Sequence, residues 1–226
     1  MPTELHINEQ WKDALAAVGL DTFDALMGSS QGKCVSWHRR GQTYRVELEG
    51  GKVIFLKRDT YTSVKDIFTD LVNFRRPQPP CFNEMLAIKK VAELGIRAPE
   101  VISWGQRRYG GLPWQAAIIM TELPGVPMSE FLKTDQPAEN RAVVMNAAGA
   151  VAAKLFSAGL SWPDIAPKHF IIDGDTVGIL DLARMRKTNS PVKFFIPKQV
   201  RRFGDRFRSR GGSEDDLKIF LNALGI

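Results

Sequence analysis

The feature that most narrows the fold of this chain is a loop and hairpin in its last third. It reads Ser161-Trp162-Pro163-Asp164-Ile165-Ala166-Pro167-Lys168-His169-Phe170-Ile171-Ile172, and is followed by Gly178-Ile179-Leu180-Asp181-Leu182-Ala183-Arg184. An acid stands in a turn, and a lysine and a histidine come soon after it. A short apolar strand, a tight turn and a second apolar strand then lead to another acid. A hairpin of this design gathers Asp164, His169 and Asp181 at one end. Two carboxylates and a third candidate ligand are what phosphoryl transfer requires. One carboxylate orients the attacking hydroxyl, and the others hold magnesium on the nucleotide phosphates. The same residues also fit two turn aspartates flanking an ordinary hairpin, so the rest of the chain has to decide.

The chain has 226 residues, 44% hydrophobic and 25% charged, enough for one large domain or two small lobes. No apolar run reaches the length of a membrane-spanning helix. The start, Met1-Pro2-Thr3-Glu4-Leu5-His6, lacks the basic and apolar regions of a secretory signal. Cys34 and Cys81 have neither metal-site spacing nor a disulfide framework. These features lead to the expectation of a cytoplasmic protein. Net charge is +6 and the pI near 9.4. The excess lies late, from Arg184 through Lys193, Lys198, Arg201, Arg202, Arg206 and Arg208 to Arg210. Such a region can meet nucleic acid, anionic headgroups or a phosphorylated substrate, or can simply be a solvated face. No base-stacking aromatic pattern accompanies it, so nucleic acid is not expected.

In chain order, residues 4–27 read as one or two short amphipathic helices, with Trp11, Leu15, Val18, Phe23 and Leu26 at helical spacing. Strand-like runs Cys34–His38, Thr43–Glu49 and Val53–Arg58 follow, with hairpin punctuation at Arg39-Arg40-Gly41 and Gly50-Gly51. Alternation puts Lys57 on one face of the third strand and Arg58 on the other, without saying which faces inward. A helix is expected around Val64–Phe74, ending in the stiff Arg75-Arg76-Pro77-Gln78-Pro79-Pro80. Another runs from Cys81 to Leu94 and stops at Gly95. Glu84 lies on its apolar stripe and therefore calls for a partner, for which Lys57 is suited. A first-turn carboxylate favoured by the helix dipole is the plainer account. Val101–Gly105 and Gln115–Met120 read as two more strands, the second entering a crossing at Thr121-Glu122-Leu123-Pro124-Gly125. A short helix at Ser129–Leu132 and a long apolar one at Glu139–Gly159 deliver the chain to the Asp164 loop. Ser213-Glu214-Asp215-Asp216 caps a last helix.

This order resembles the protein-kinase-like fold. Within it, the chain is similar to the lipopolysaccharide kinase family, bacterial enzymes that phosphorylate heptose or Kdo sugars of the lipopolysaccharide inner core. The resemblance runs from about Thr43 to Arg184. It is carried by Thr43-Tyr44-Arg45, Val53 to Arg58, Asn83-Glu84, Leu94 to Pro99, Thr121-Glu122-Leu123, and Asp164 with His169. It implies an α+β, two-lobed fold. An antiparallel-sheet N-lobe with a helical extension would span 1–123, and a reduced, mainly helical C-lobe 124–226. It implies ATP and magnesium as cofactors. Lys57 would grip the nucleotide phosphates and pair with Glu84. Met120, Thr121 and Leu123 would line the adenine, and Arg39 and Arg40 would stand in the nucleotide-covering turn. Asp164 would be the catalytic aspartate, with Lys168 beside it, and Asp181 and His169 would face the metal. The partners implied are a lipopolysaccharide core glycolipid and the anionic inner face of the cytoplasmic membrane. The oligomeric state is left open. Trp162-Pro163-Asp164 departs from the family's usual histidine before the catalytic aspartate, and the covering turn has one glycine and two arginines. A kinase of another small molecule, of aminoglycoside or choline type, or a catalytically weak kinase-fold binding module are the alternatives.

Overall fold

The computed structural model describes residues 3–72, 74–188 and 192–226, without the side chains of 192–195. The chain divides into two compact units, 1–86 with 99–122, and 87–98 with 123–226.

The first unit is built on a six-stranded antiparallel sheet. In chain order it contains β1 (Thr3–Ile7), α1 (Lys12–Ala17), α2 (Phe23–Gly28), β2 (Lys33–His38), β3 (Gly41–Glu47), β4 (Val53–Asp59), α3 (Val64–Val72), the start of α4 (Pro80–Glu93), β5 (Val101–Tyr109) and β6 (Leu112–Thr121). The strand order is β1-β5-β6-β4-β3-β2. The expectation of helix from residue 4 is corrected at β1. Thr-Glu-Leu-His-Ile alternates with period two, and it pairs along β5 from Thr3–Arg107 to Ile7–Ser103. A free sheet edge decided between two weak local preferences there. Both β5 and β6 run longer than their apolar runs suggested, because hairpin pairing carries the ladder out to Tyr109 and Leu112.

β4 is buried on one face and half-buried on the other, and its alternation organises the unit. Ile54 and Leu56 join Leu15, Leu20 and Leu26 in a hydrophobic core under α1 and α2. Arg58 shares that face and is only 6% exposed. Its guanidinium donates to Gln42 Oε1, to the carbonyls of Leu26 and Ser29, and to Tyr44 Oη. Lys57 and Asp59 point the other way, toward the start of α4. Asp59 Oδ2 accepts the Cys81 amide at 2.6 Å, occupying a donor that the first helical turn cannot satisfy itself. Both cations at the end of β4 are therefore inward, on opposite faces.

The second unit continues from α4 into β7 (Val126–Pro127), α5 (Met128–Phe131), α6 (Ala138–Ser157), β8 (Leu160–Ser161), β9 (Phe170–Asp173), β10 (Thr176–Ile179), β11 (Arg186–Lys187), α7 (Val192–Arg208) and α8 (Glu214–Leu224). β9 and β10 form the expected hairpin, and β7 pairs on its other side. Gly125 permits that pairing: a Cβ there would lie 2.4 Å from the Ile172 carbonyl oxygen. α6 packs on α8 so closely that a Cβ at Gly149 would meet the Phe220 carbonyl at 2.4 Å. The basic run after residue 192 folds as one helix with Pro197 inside it. Phe203 and Phe207 are buried, with Phe203 stacked on Phe220 at 4.3 Å and set edge-on to Phe170 at 5.7 Å. Ser213 and Asp216 close a reciprocal capping box on α8.

Candidate active site

In the first unit, Lys57 Nζ lies 2.6 Å from Glu84 Oε2. The Glu84 side chain is 3% exposed and that of Lys57 21%. A carboxylate this deep is tolerated because the cation meets it, while the ammonium keeps one side toward solvent. The covering turn is less free than its sequence suggested. Both turn arginines are exposed, and Arg40 pairs with Asp66 at the start of α3. At the end of β6, Met120 is buried, and the Thr121 amide donates to the Glu100 carbonyl while its hydroxyl accepts the Glu100 amide.

The second unit gathers the acid loop and hairpin as the spacing anticipated. The Leu180 amide donates to the His169 carbonyl at 3.0 Å, bringing Asp181 beside the imidazole. His169 Nε2 then stands 3.3 Å from Asp181 Oδ2. The other ring nitrogen, Nδ1, is 2.9 Å from the backbone carbonyl of Asp164. A carbonyl oxygen only accepts, so Nδ1 carries the hydrogen and the neutral ring directs its Nε2 lone pair at Asp181. Burial lowers the His169 pKa below its ordinary value, outweighing the upward pull of Asp181. Two electron-rich atoms face each other at that distance, an arrangement that a cation between them relieves. Among the described residues no three histidine, cysteine, aspartate or glutamate side chains converge as a metal cage. Magnesium does not need one, since it takes most of its ligands from phosphate and water. The pair therefore fits a nucleotide-bound magnesium. Asp181 itself has φ +59, a left-handed backbone that aspartate tolerates better than most residues.

Asp164 Oδ1 accepts Arg184 Nη1 at 3.0 Å, and Oδ2 makes no hydrogen bond among the described residues. A cavity of about 320 Å3 opens here, lined by Asp164, Lys168, His169, Asp181, Arg206 and Arg210 among others. Trp162, two places before Asp164, is fully buried and packs on His169 and Phe170.

Gln199 escaped the sequence reading, and Arg206 and Arg184 were read only as members of the basic region. Gln199 on α7 accepts the Trp162 amide at 2.8 Å and donates to Ser161 Oγ at 2.6 Å. Arg206, two turns on, donates to the Ile165 carbonyl at 2.9 Å. Together they clamp the acid loop from both sides. Arg184 holds Asp164. A polar Gln199 one turn before Phe203, on the buried side of an amphipathic helix, was the available signal. Arg208, another member of the basic region, is tied to Glu214 at 2.6 Å. The Lys193 side chain lies outside the described residues.

Comparison with known proteins decides the family. The model of the lipopolysaccharide kinase (Kdo/WaaP) family matches residues 25–223. The chain belongs to that family. A solved structure described as WaaP in complex with acyl carrier protein is 19% identical. It covers 98% of this chain and 88% of its own, with a TM-score of 0.75. The fold is thus protein-kinase-like, with an antiparallel sheet in its N-terminal part and helices in its C-terminal part. The autoinhibited serine kinase domain of titin matches at 13% identity over 70% of this chain and 46% of its own, with a TM-score of 0.48. Among curated proteins none matches the chain in sequence. Membership of a kinase family implies ATP as phosphoryl donor. Among the described residues no helix is long and apolar enough to cross a membrane.

Proposed function

We propose that this member of the lipopolysaccharide kinase family transfers the γ-phosphoryl group of ATP to a sugar hydroxyl, heptose or Kdo, of the lipopolysaccharide inner core. The observation that carries the reading is the cavity beside Asp164, lined also by Lys168, Arg206 and Arg210, with a carboxylate oxygen that makes no hydrogen bond among the described residues. A hydroxyl placed there gives its proton to Asp164 Oδ2 as its oxygen attacks phosphorus, with the β–γ bridge oxygen leaving in line. Arg184 holds the other oxygen and so fixes which one faces the hydroxyl. The cations suit an acceptor that bears carboxylates or phosphates, and Lys168 would offset charge on the transferring group. His169 Nε2 and Asp181 would hold magnesium, which when bound neutralises charge on the nucleotide phosphates. Lys57, kept in place by Glu84, grips the α and β phosphates. Met120, Thr121 and Leu123 would line the adenine. Arg39 is the freer of the two turn arginines for a phosphate contact, since Arg40 is engaged by Asp66.

Such an acceptor is embedded in a membrane leaflet, which puts the enzyme at the inner face of the cytoplasmic membrane. The test is transfer of labelled phosphate from ATP to purified, dephosphorylated core oligosaccharide. Metal-dependent labelling of the sugar is expected. Labelling of aminoglycoside or choline, with none on the core sugar, would replace this reading with that of a general small-molecule kinase.

A further inference from the structure

The first unit carries an apolar surface that phosphoryl transfer does not use. α3 buries none of its residues. Val64, Phe68, Leu71 and Val72 repeat at helical spacing and form one stripe, and all four are exposed, Phe68 by 65%. An amphipathic helix of a globular domain turns such a stripe to the core, whereas this one turns it to solvent. Beyond the helix Phe74 is 100% exposed with φ +53. Its amide donates to the Leu71 carbonyl and the Arg75 amide to the Asp70 carbonyl, the paired bonds of a Schellman helix end. The left-handed residue of that motif is ordinarily glycine. A phenylalanine there is unfavourable in its backbone, and its ring is held out in water.

Neighbouring tips continue the surface. Trp37, near the β2–β3 turn, is 70% exposed, and Tyr109 and Trp114 of the β5–β6 hairpin are exposed too. Contacts join these tips to α3 and its flanks. Arg40 pairs with Asp66, the Thr62 amide donates to the Trp114 carbonyl at 2.8 Å, and Arg108 donates to the Pro77 carbonyl at 3.2 Å. The charge of the edge is mixed but net basic: α3 carries Lys65, Asp66 and Asp70, with Asp66 already engaged by Arg40, and no acid occurs between Glu100 and Glu122, where Arg108 stands at the hairpin tip. Arg75 and Arg76 directly follow Phe74.

We infer that this edge docks on an anionic lipid bilayer. The α3 stripe and Phe74 enter the boundary of headgroups and acyl chains, the tryptophans and Tyr109 sit at headgroup level, and the arginines meet lipid phosphates. Single rings projecting from separate tips suit insertion among headgroups, whereas a folded protein partner would need a complementary groove for each. The inference accords with the glycolipid reading but is testable without it.

The test is flotation of the full chain with vesicles of phosphatidylglycerol and phosphatidylcholine, against phosphatidylcholine alone. Binding to the anionic vesicles is expected, and it should weaken as salt rises. Phe68→Ser with Phe74→Ser should lower the partition coefficient about tenfold or more. Its melting temperature and its transfer to soluble, delipidated core oligosaccharide should stay at wild-type values. The inference is overturned if the wild type does not float, or if the double variant floats as well as the wild type. It is also overturned if sedimentation finds a dimer that the double variant dissolves, which would assign the surface to a second copy. Loss of transfer to soluble core by the wild type would count against the sugar-kinase reading alone, because flotation needs no substrate.

Discussion

Replacing Lys57 by Met tests the buried ion pair, and the structure makes the expected outcome two-fold. Nucleotide binding should weaken, because the ammonium serves the phosphates. Stability should fall as well, because the change deprives a carboxylate that is 3% exposed of its cation. Breaking a fully buried pair from one side costs about 3–5 kcal/mol. Lys57 retains 21% exposure, so water already screens part of the attraction. A discounted cost of about 2–3 kcal/mol is the reasonable expectation. For a chain of this size that lowers the melting temperature by roughly 4–12 °C. Glu84→Gln should cost less, since the residue left with altered surroundings is the more solvated one. The double variant Lys57→Met/Glu84→Leu should recover most of the stability and none of the nucleotide binding. The assay is thermal melting of all three with and without ATP and magnesium. A Lys57→Met protein that melts within a degree or so of wild type and still gains stability from nucleotide would refute the argument. Arg58 could not then be substituted as the phosphate ligand, because its guanidinium is committed to Gln42 and the Leu26 and Ser29 carbonyls.

The other expectations concern the second unit. Asp181→Asn should abolish metal-dependent nucleotide binding, while Asp164→Asn should bind nearly normally and lose about a hundredfold or more in kcat; equal loss of nucleotide affinity in both would contradict the division of roles. His169 has its pKa held below the ordinary 6.5 by burial, so its contribution to stability is complete above that value and declines as pH falls through it toward the folded pKa. Denaturant midpoints measured against pH should show this decline in the wild type and a flatter profile in His169→Gln; parallel profiles would show that the imidazole is not the group responsible. Lys168→Gln and Arg210→Gln should each raise the KM for a charged acceptor about fivefold and leave the KM for ATP unchanged. Arg208→Gln, whose cation already serves Glu214, should leave both constants alone, and a selective rise in acceptor KM there would relocate the acceptor surface.

The chemistry-bearing residues were legible because their constraints are local. Asp164, His169 and Asp181 are brought together by one loop and one hairpin, and a hairpin's register follows from its turn and alternation. Glu84 was legible because an acid on an apolar helical stripe demands a partner. The helix ends at Gly95 and Ser213 were legible for the same kind of reason, since capping is read over a few neighbouring residues.

Other features depended on contacts that no local pattern records. Whether residues 3–7 coil or pair was settled by the free edge of β5, nearly a hundred residues away. Lys57 and Arg58 looked equivalent until both faces of β4 were seen to be covered, one toward α4 and the other by α1 and α2. The basic run after residue 192 read as a uniform cationic surface. Folding divided it into Arg206 on the Ile165 carbonyl, Arg208 on Glu214, and Arg210 on the cavity. The sequence by itself thus determined which groups could do chemistry and which short segments would hold them. The tertiary structure alone decided which cations were spent on structure and which remained for a ligand. The reason is that a charge's role depends on its distance and burial relative to partners far along the chain, and these exist only once the chain has folded.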